Sequence, residues 1–227
     1  MPSPKPSIAT ATHDNRHHIA HLQLVDAADI PRFASLGVTA NFQALWAFSR
    51  YLDHRASTCP QSGRRASIGC IPSAASCAAG GRIVGGSDWF VSSVNPWLAI
   101  ETAVRREDPT GEIEGVLNAD ERVDLATMIA AYTINGAWLV HHERDNGSIE
   151  VGKQADIVVV DRNLFEIPPE QIGDTQVLLT IFNGKGDLRE CRRSRLARWT
   201  LGGGGTVGSR ALVTSRCAAR CGVRSRA

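Results

Sequence analysis

The chain has 227 residues, 43% hydrophobic and 21% charged, which allows one sizeable core with a small second domain. No apolar run approaches the ~20 residues that cross a bilayer, and the polar, proline-rich start lacks the apolar stretch of a secretory signal. A cytoplasmic protein with no membrane partner is therefore expected. The net charge of +2 averages two regions: residues 186–227 hold ten arginines against one aspartate and one glutamate (+8), leaving 1–185 at −6.

Residues 1–15 are read as a frayed N-terminus. His18 to Val25 has the apolar run of a short strand, and Asp26 to Gly37 follows as a helix. Asp26 is its predicted N-cap, Ile30, Phe33 and Leu36 its apolar face, and Gly37 its stop. Val38 to Leu45 is strand-like again, so the segment reads as a βαβ unit with parallel strands. Residues 54–77, rich in Ser, Ala, Arg, Gly and Cys, carry neither period and are treated as a doubtful insert. A short strand ends at the glycine turn Gly85-Gly86-Ser87-Asp88, and Trp97 to Arg105 is predicted helical. Asn118 to Tyr132 reads as the strongest helix, with Asn118 as cap and Glu121 at the capping-box position. A break at Asn135-Gly136 precedes a second helix that reaches His142. Gly147 to Lys153 is a turn, Ala155 to Val160 is β-rich, and Val177 to Phe182 is a strand closed by Asn183-Gly184. Residues 186–227 are expected to be a disordered basic tail.

The six cysteines fall in two clusters, Cys59, Cys70 and Cys77, then Cys191, Cys217 and Cys221. With no CxxC pair and no export signal they are read as reduced and incidental. A shifted reading frame across 54–77 and after residue 185 would explain the cysteine and arginine clustering with one cause. Resequencing the gene checks this; an intact frame encoding the same residues in close relatives would remove it.

Several ordered segments together resemble the amidohydrolase superfamily, in particular amidohydrolase family 3. They are Arg16-His17-His18-Ile19-Ala20-His21-Leu22-Gln23, Asp29-Ile30-Pro31-Arg32-Phe33 with Leu36-Gly37, and Gly85-Gly86-Ser87-Asp88-Trp89 with Val91-Ser92. Ala131-Tyr132-Thr133 and the run from Gly147 to Asp156 complete the set, and order and spacing agree over residues 15–53 and 79–185. The resemblance implies an α/β fold. Residues 16–145 would be the C-terminal part of a (β/α)8 barrel, and residues 146–185 a segment of a small β-sandwich. It also implies that His21 ends the sixth barrel strand as a metal ligand. Asp88 would end the eighth, contacting the metal and acting as the catalytic base.

Imidazole and carboxylate suit a divalent metal, zinc above all, and a carboxylate beside an activated water can move its proton to a leaving nitrogen. The implied reaction is hydrolysis of an amide-type carbon–nitrogen bond in a small-molecule substrate. The family's other ligands, a His-x-His pair on the first strand, a carboxylate or lysine on the fourth and a histidine on the fifth, have no counterpart here. His13, His17 and His18 are the only upstream candidates, and the last two point to opposite faces of a strand. A truncated barrel is expected, either active with an incomplete ligand set or catalytically inactive, and self-association through exposed barrel edges is expected with it.

Other features read as bland. His141 and His142 fit a helix C-terminus better than a metal site, and Trp46 and Phe48 suit a pocket wall or the core equally. Asp53 and His54 receive no role. The arginine-rich tail could mark a nucleic-acid-binding protein, but it lacks interleaved aromatics beyond Trp199, so no nucleic-acid partner is expected. Gly202 to Gly205 lacks the lysine and the strand–helix context of a phosphate loop.

Overall fold

Parallel strand pairing and a helical crossover dominate the first part of the computed structural model, which describes residues 14–48 and 71–187. The expectations for 1–13, Asp53-His54, most of the doubtful insert, five of the cysteines and the basic tail beyond 187 lie outside the described residues. The chain divides into two compact units, one reaching Ser148 and including Pro168–Asp174, the other formed by Ile149–Ile167 and residues from Thr175 onward.

In the first unit β1 (His18–His21), β2 (Thr39–Phe42) and β3 (Ile83–Gly85) form a parallel sheet in that order. The register pairs His21 with Phe42 and Phe42 with Gly85, so the three C-terminal strand ends lie side by side. Thr39, Ala40 and Phe42 of central β2 are buried, as are Ile83 and Val84 of β3. The βαβ reading holds, with shorter elements than predicted. β1 stops at His21 rather than Val25, and β2 gives way after Phe42 to a 3-10 turn at Ala44–Trp46.

Helix α1 (Ile30–Leu36) starts later than predicted because Pro31 belongs in its first turn, where a missing N–H costs nothing. Asp26 therefore does not cap it; its Oδ1 accepts from the Ala28 N–H (2.8 Å) in the preceding turn. Gly37, at φ 65°, does stop the helix, and Val38 donates back to the Phe33 carbonyl.

Helix α2 (Ser73–Ala78) falls largely within the stretch that showed no period. Its packing is polar rather than striped. Ser73 donates to the Glu121 carbonyl (3.2 Å), and the Glu121 carboxylate accepts from the Ala75 N–H (3.0 Å). Beside it, the fully buried Arg106 guanidinium donates to the carbonyls of Leu117 (2.8 Å) and Ile71 (3.2 Å). Burial and the charges of Asp124 and Glu121 push the Cys77 thiol up to about 11, so this cysteine stays protonated at neutral pH.

Helix α3 (Pro96–Arg105) is capped by Asn95, whose side chain accepts from the Trp97 N–H (3.0 Å). Its buried Glu101 pairs with Arg105 and accepts from the Gly173 N–H (2.7 Å), which ties Pro168–Asp174 to this unit.

The long predicted helix from Asn118 to Tyr132 is two elements. A 3-10 turn spans Ala119–Glu121, Arg122 is extended, and helix α4 (Leu125–Tyr132) begins after Asp124. Asn118 makes no capping bond. Asp124 wins the cap instead, accepting from the Thr127 N–H (2.9 Å) and hydroxyl (2.6 Å), while Glu121 is engaged by α2. The next break comes at Thr133, not Asn135-Gly136, and helix α5 (Ile134–Leu139) contains both of those residues. Asn135 serves the sheet: its Nδ2 donates to the Ile83 carbonyl (3.0 Å).

A Cβ on Gly85 would stand 2.3 Å from the Tyr132 ring, so α4 seats directly on β3 at the strand's end. Gly85→Ala is expected to lower stability by ~1–3 kcal/mol through overpacking. Chemical denaturation checks it, and most of the loss should vanish when Tyr132→Ala is the background.

Arg16, just ahead of β1, clamps Glu143 through two bonds of 2.8 Å and stacks 4.5 Å from the Trp138 ring centre. That bonding holds the Glu143 carboxyl well below its ordinary 4.5, at about 2. A depressed folded value stabilises the fold above the ordinary value, so this clamp is expected to persist below pH 4.5 and to be lost as pH falls toward 2. The Glu143 carboxyl carbon shift reads this directly; a midpoint near 4.5 would contradict it.

In the second unit β4 (Ile157–Val160), β5 (Val177–Phe182) and β6 (Lys185–Asp187) form one antiparallel sheet, and the described residues of this unit contain no other sheet. Strand β6 enters the region expected to lack structure. Asn183 and Gly184, at φ 48° and 73°, form the tight turn that their sequence predicts. Among the described residues no helix is long and apolar enough to cross a membrane.

Candidate functional site

Because β1, β2 and β3 run parallel and in register, whatever follows their last residues shares one edge of the sheet. His21 is the last residue of β1, Gln43 comes one residue after β2, and Asp88 comes three residues after β3. In open and closed parallel α/β sheets this C-terminal edge is where ligands bind.

His21 sits at φ 73° and Leu22 at 48°, so the chain turns sharply as β1 ends, with the Leu22 N–H returned to the Ala20 carbonyl (3.0 Å). Left-handed backbone at a side-chain-bearing residue costs energy that surrounding structure must offset. Two contacts fix the ring there. It stacks on Trp46, with centroids 5.3 Å apart and planes 17° from parallel, and its Nδ1 lies 2.9 Å from Gln43 Oε1. Gln43 and Trp46 are both buried, so the imidazole rests on a fixed floor although His21 itself is exposed.

Gln43 is held in turn. Its Nε2 donates to Asn41 Oδ1 (3.2 Å), and a Cβ on Gly86 would come within 3.1 Å of both amides. Glycine at 86 thus leaves room for the amide pair. Beyond it the chain turns through Ser87 and Asp88, the latter at φ 51°, and the Val91 N–H closes on the Asp88 carbonyl (2.7 Å). The Asp88 side chain is exposed at this edge, next to the exposed rings of Trp89 and Phe90.

The two sequence-predicted site residues therefore share an edge, with no hydrogen bond or ion pair between them. Among the described residues no group of three or more His, Cys, Asp or Glu side chains could hold a metal ion. His18 begins β1, about 10 Å of strand away from His21, so neither it nor His17 joins that histidine. His142 lies 3.3 Å from Asp145, and His141 lies 3.9 Å from Asp14. The sequence reading missed Asn41 and Gln43. Two amides at alternate positions, Asn41 within the buried strand and Gln43 just past it, were the available signal.

Residues 7–186 match the model of the amidohydrolase family, and the chain belongs to that family. It is similar to Protein LONG AFTER FAR-RED 3 of Arabidopsis thaliana, 28% identical over 178 residues, 78% of this chain and 29% of the plant protein. It also resembles the N-substituted formamide deformylase of Arthrobacter pascens, 34% identical over 106 residues, 47% of this chain and 19% of that enzyme. Among solved structures, an adenosine deaminase from Xanthomonas campestris with bound zinc superposes with a TM-score of 0.53 at 25% identity, covering 77% of this chain and 37% of the deaminase. The zinc complex of atrazine chlorohydrolase TrzN from Arthrobacter aurescens gives 0.52 at 21% identity, covering 76% and 36%. The chain thus spans well under half the length of these proteins. The shared fold is a TIM-barrel-type α/β fold.

Proposed function

We propose that this chain carries part of the active site of a metal-dependent hydrolase that cleaves an amide-type, non-peptide carbon–nitrogen bond in a small molecule. The observation that carries this reading is the pair of donors at one sheet edge, His21 with its ring anchored and Asp88 with its carboxylate exposed. An imidazole and a carboxylate are donor types that zinc accepts, so the two fit as part of a ligand set that other donors complete. A bound divalent ion would make a water acidic enough to supply hydroxide at neutral pH. His21 would be one of the residues holding such an ion, and the Asp88 carboxylate would take the proton of the attacking water and deliver it to the departing nitrogen. The antiparallel sheet of the second unit is read as one layer of the small β-sandwich that accompanies such barrels.

Relatives that include a formamide deformylase make N-substituted formamides the first substrates to try. In a protein that joins this chain to the remaining donors, zinc-dependent release of formate is expected, and it should stop when the metal is chelated. Turnover that survives complete chelation would contradict the reading.

A further inference from the structure

We propose that Gln43 is a positioning residue that holds the His21 imidazole with its proton on Nδ1, so that the Nε2 lone pair is the donor presented at the sheet edge. This rests on the reading of His21 as a metal donor. Which imidazole nitrogen carries the proton is set by the hydrogen bond the other ring atom makes. Here the direction of that bond follows from the chain of amides. Gln43 Nε2 can only donate, and it faces Asn41 Oδ1 at 3.2 Å; its Oε1 can only accept, and it faces His21 Nδ1 at 2.9 Å. The proton between ring and amide therefore belongs to the histidine.

Three features keep the arrangement from relaxing. Gln43 is 4% exposed, so its amide has little freedom to swing into solvent. Gly86 lies behind the amide pair at the neighbouring strand end, where an added Cβ would stand 3.1 Å from both amides and press on them. The Trp46 ring lies against the imidazole face and opposes rotation of the His21 ring. An unrestrained neutral histidine in water favours the proton on Nε2, which would block the donor that this site needs. Gln43 reverses that preference before any ion arrives, so it prepares the ligand without touching metal or substrate.

The tautomer is directly readable. Long-range proton–nitrogen spectra of the metal-free protein, at a pH where the ring is neutral, are expected to show His21 protonated at Nδ1. Gln43→Glu keeps an acceptor facing the ring and should keep that tautomer. Gln43→Leu, of similar size and unable to accept, should shift the proton to Nε2 and lower zinc affinity about 10–100-fold. An Nε2-protonated ring in the unaltered protein overturns the proposal without recourse to any variant, and so does an unchanged tautomer in Gln43→Leu. If the tautomer behaves as expected but zinc perturbs Nε2 in none of the proteins, the positioning role stands and the metal reading fails.

Discussion

Under the proposed mechanism, Asp88→Asn is expected to lower the turnover of the complete active site by about 10²–10⁴-fold, the usual range for losing a positioned general base. Asparagine matches the carboxylate in size but cannot take a proton from the attacking water. It also tolerates the left-handed backbone of this position, φ 51°, better than most residues, so the loop after β3 should survive the exchange. Alanine would remove the group and strain the turn together, which makes it the poorer probe. The measurement is kcat for a formamide substrate at saturating zinc, with circular dichroism confirming an unchanged fold. Activity within a few-fold of the unaltered protein would remove Asp88 from the mechanism.

Arg106→Leu is expected to damage the fold, costing about 2–4 kcal/mol through lost buried hydrogen bonds. The side chain is fully buried, and its guanidinium serves the carbonyls of Leu117 and Ile71 and the Ser73 hydroxyl (3.4 Å). Leucine fills part of the space but takes the guanidinium donor from the Leu117 carbonyl and one of the donors from Ile71, which keeps the Ser73 N–H (2.8 Å), and a buried group left unsatisfied costs about 1–3 kcal/mol. Burial pushes the guanidinium down to about 10, partly opposed by the Glu121 charge, so the cation remains through the physiological range. Arg106→Lys should recover only part of the loss, since an ammonium lacks the planar fork that reaches several acceptors at once. Denaturant titration checks both, and a cost under about 1 kcal/mol for the leucine variant would contradict this description of the core.

The same residue shows why parts of the fold were hard to read in the sequence. The crossover from β1 through α1 to β2 was legible because its signals are local: Phe33 buried, Gly37 left-handed, and two short apolar runs on either side. The turn at Asn183-Gly184 was legible for the same reason. Helix α2 gave no signal because it is held by Arg106, Glu121 and serine hydroxyls, and hydrogen-bonded packing leaves no apolar period. In the region from Asn118 to Tyr132 the sequence reading named Asn118 alone as the cap. Asp124 with Thr127 prevailed over Asn118 with Glu121 because Glu121 has a tertiary partner.

At the site, His21 and Asp88 were recognised through family-like segments rather than through any spacing of their own. Their supports were not recognised. Gln43 and Trp46 meet His21 only because β1 and β2 pair in register, and that register is a property of the sheet. Gly86 was read as a turn residue, yet it also makes room for the amide pair behind the histidine.

A zinc titration of the purified chain, followed at the His21 ring nitrogens, tests the central claim most directly. The account predicts that Nε2 moves with added zinc while Nδ1 keeps its proton, and that Asp88→Asn weakens binding at least about tenfold. Ring nitrogens that stay still throughout, or a His21→Ala/Asp88→Asn double variant that binds zinc as tightly as the unaltered chain, would contradict it.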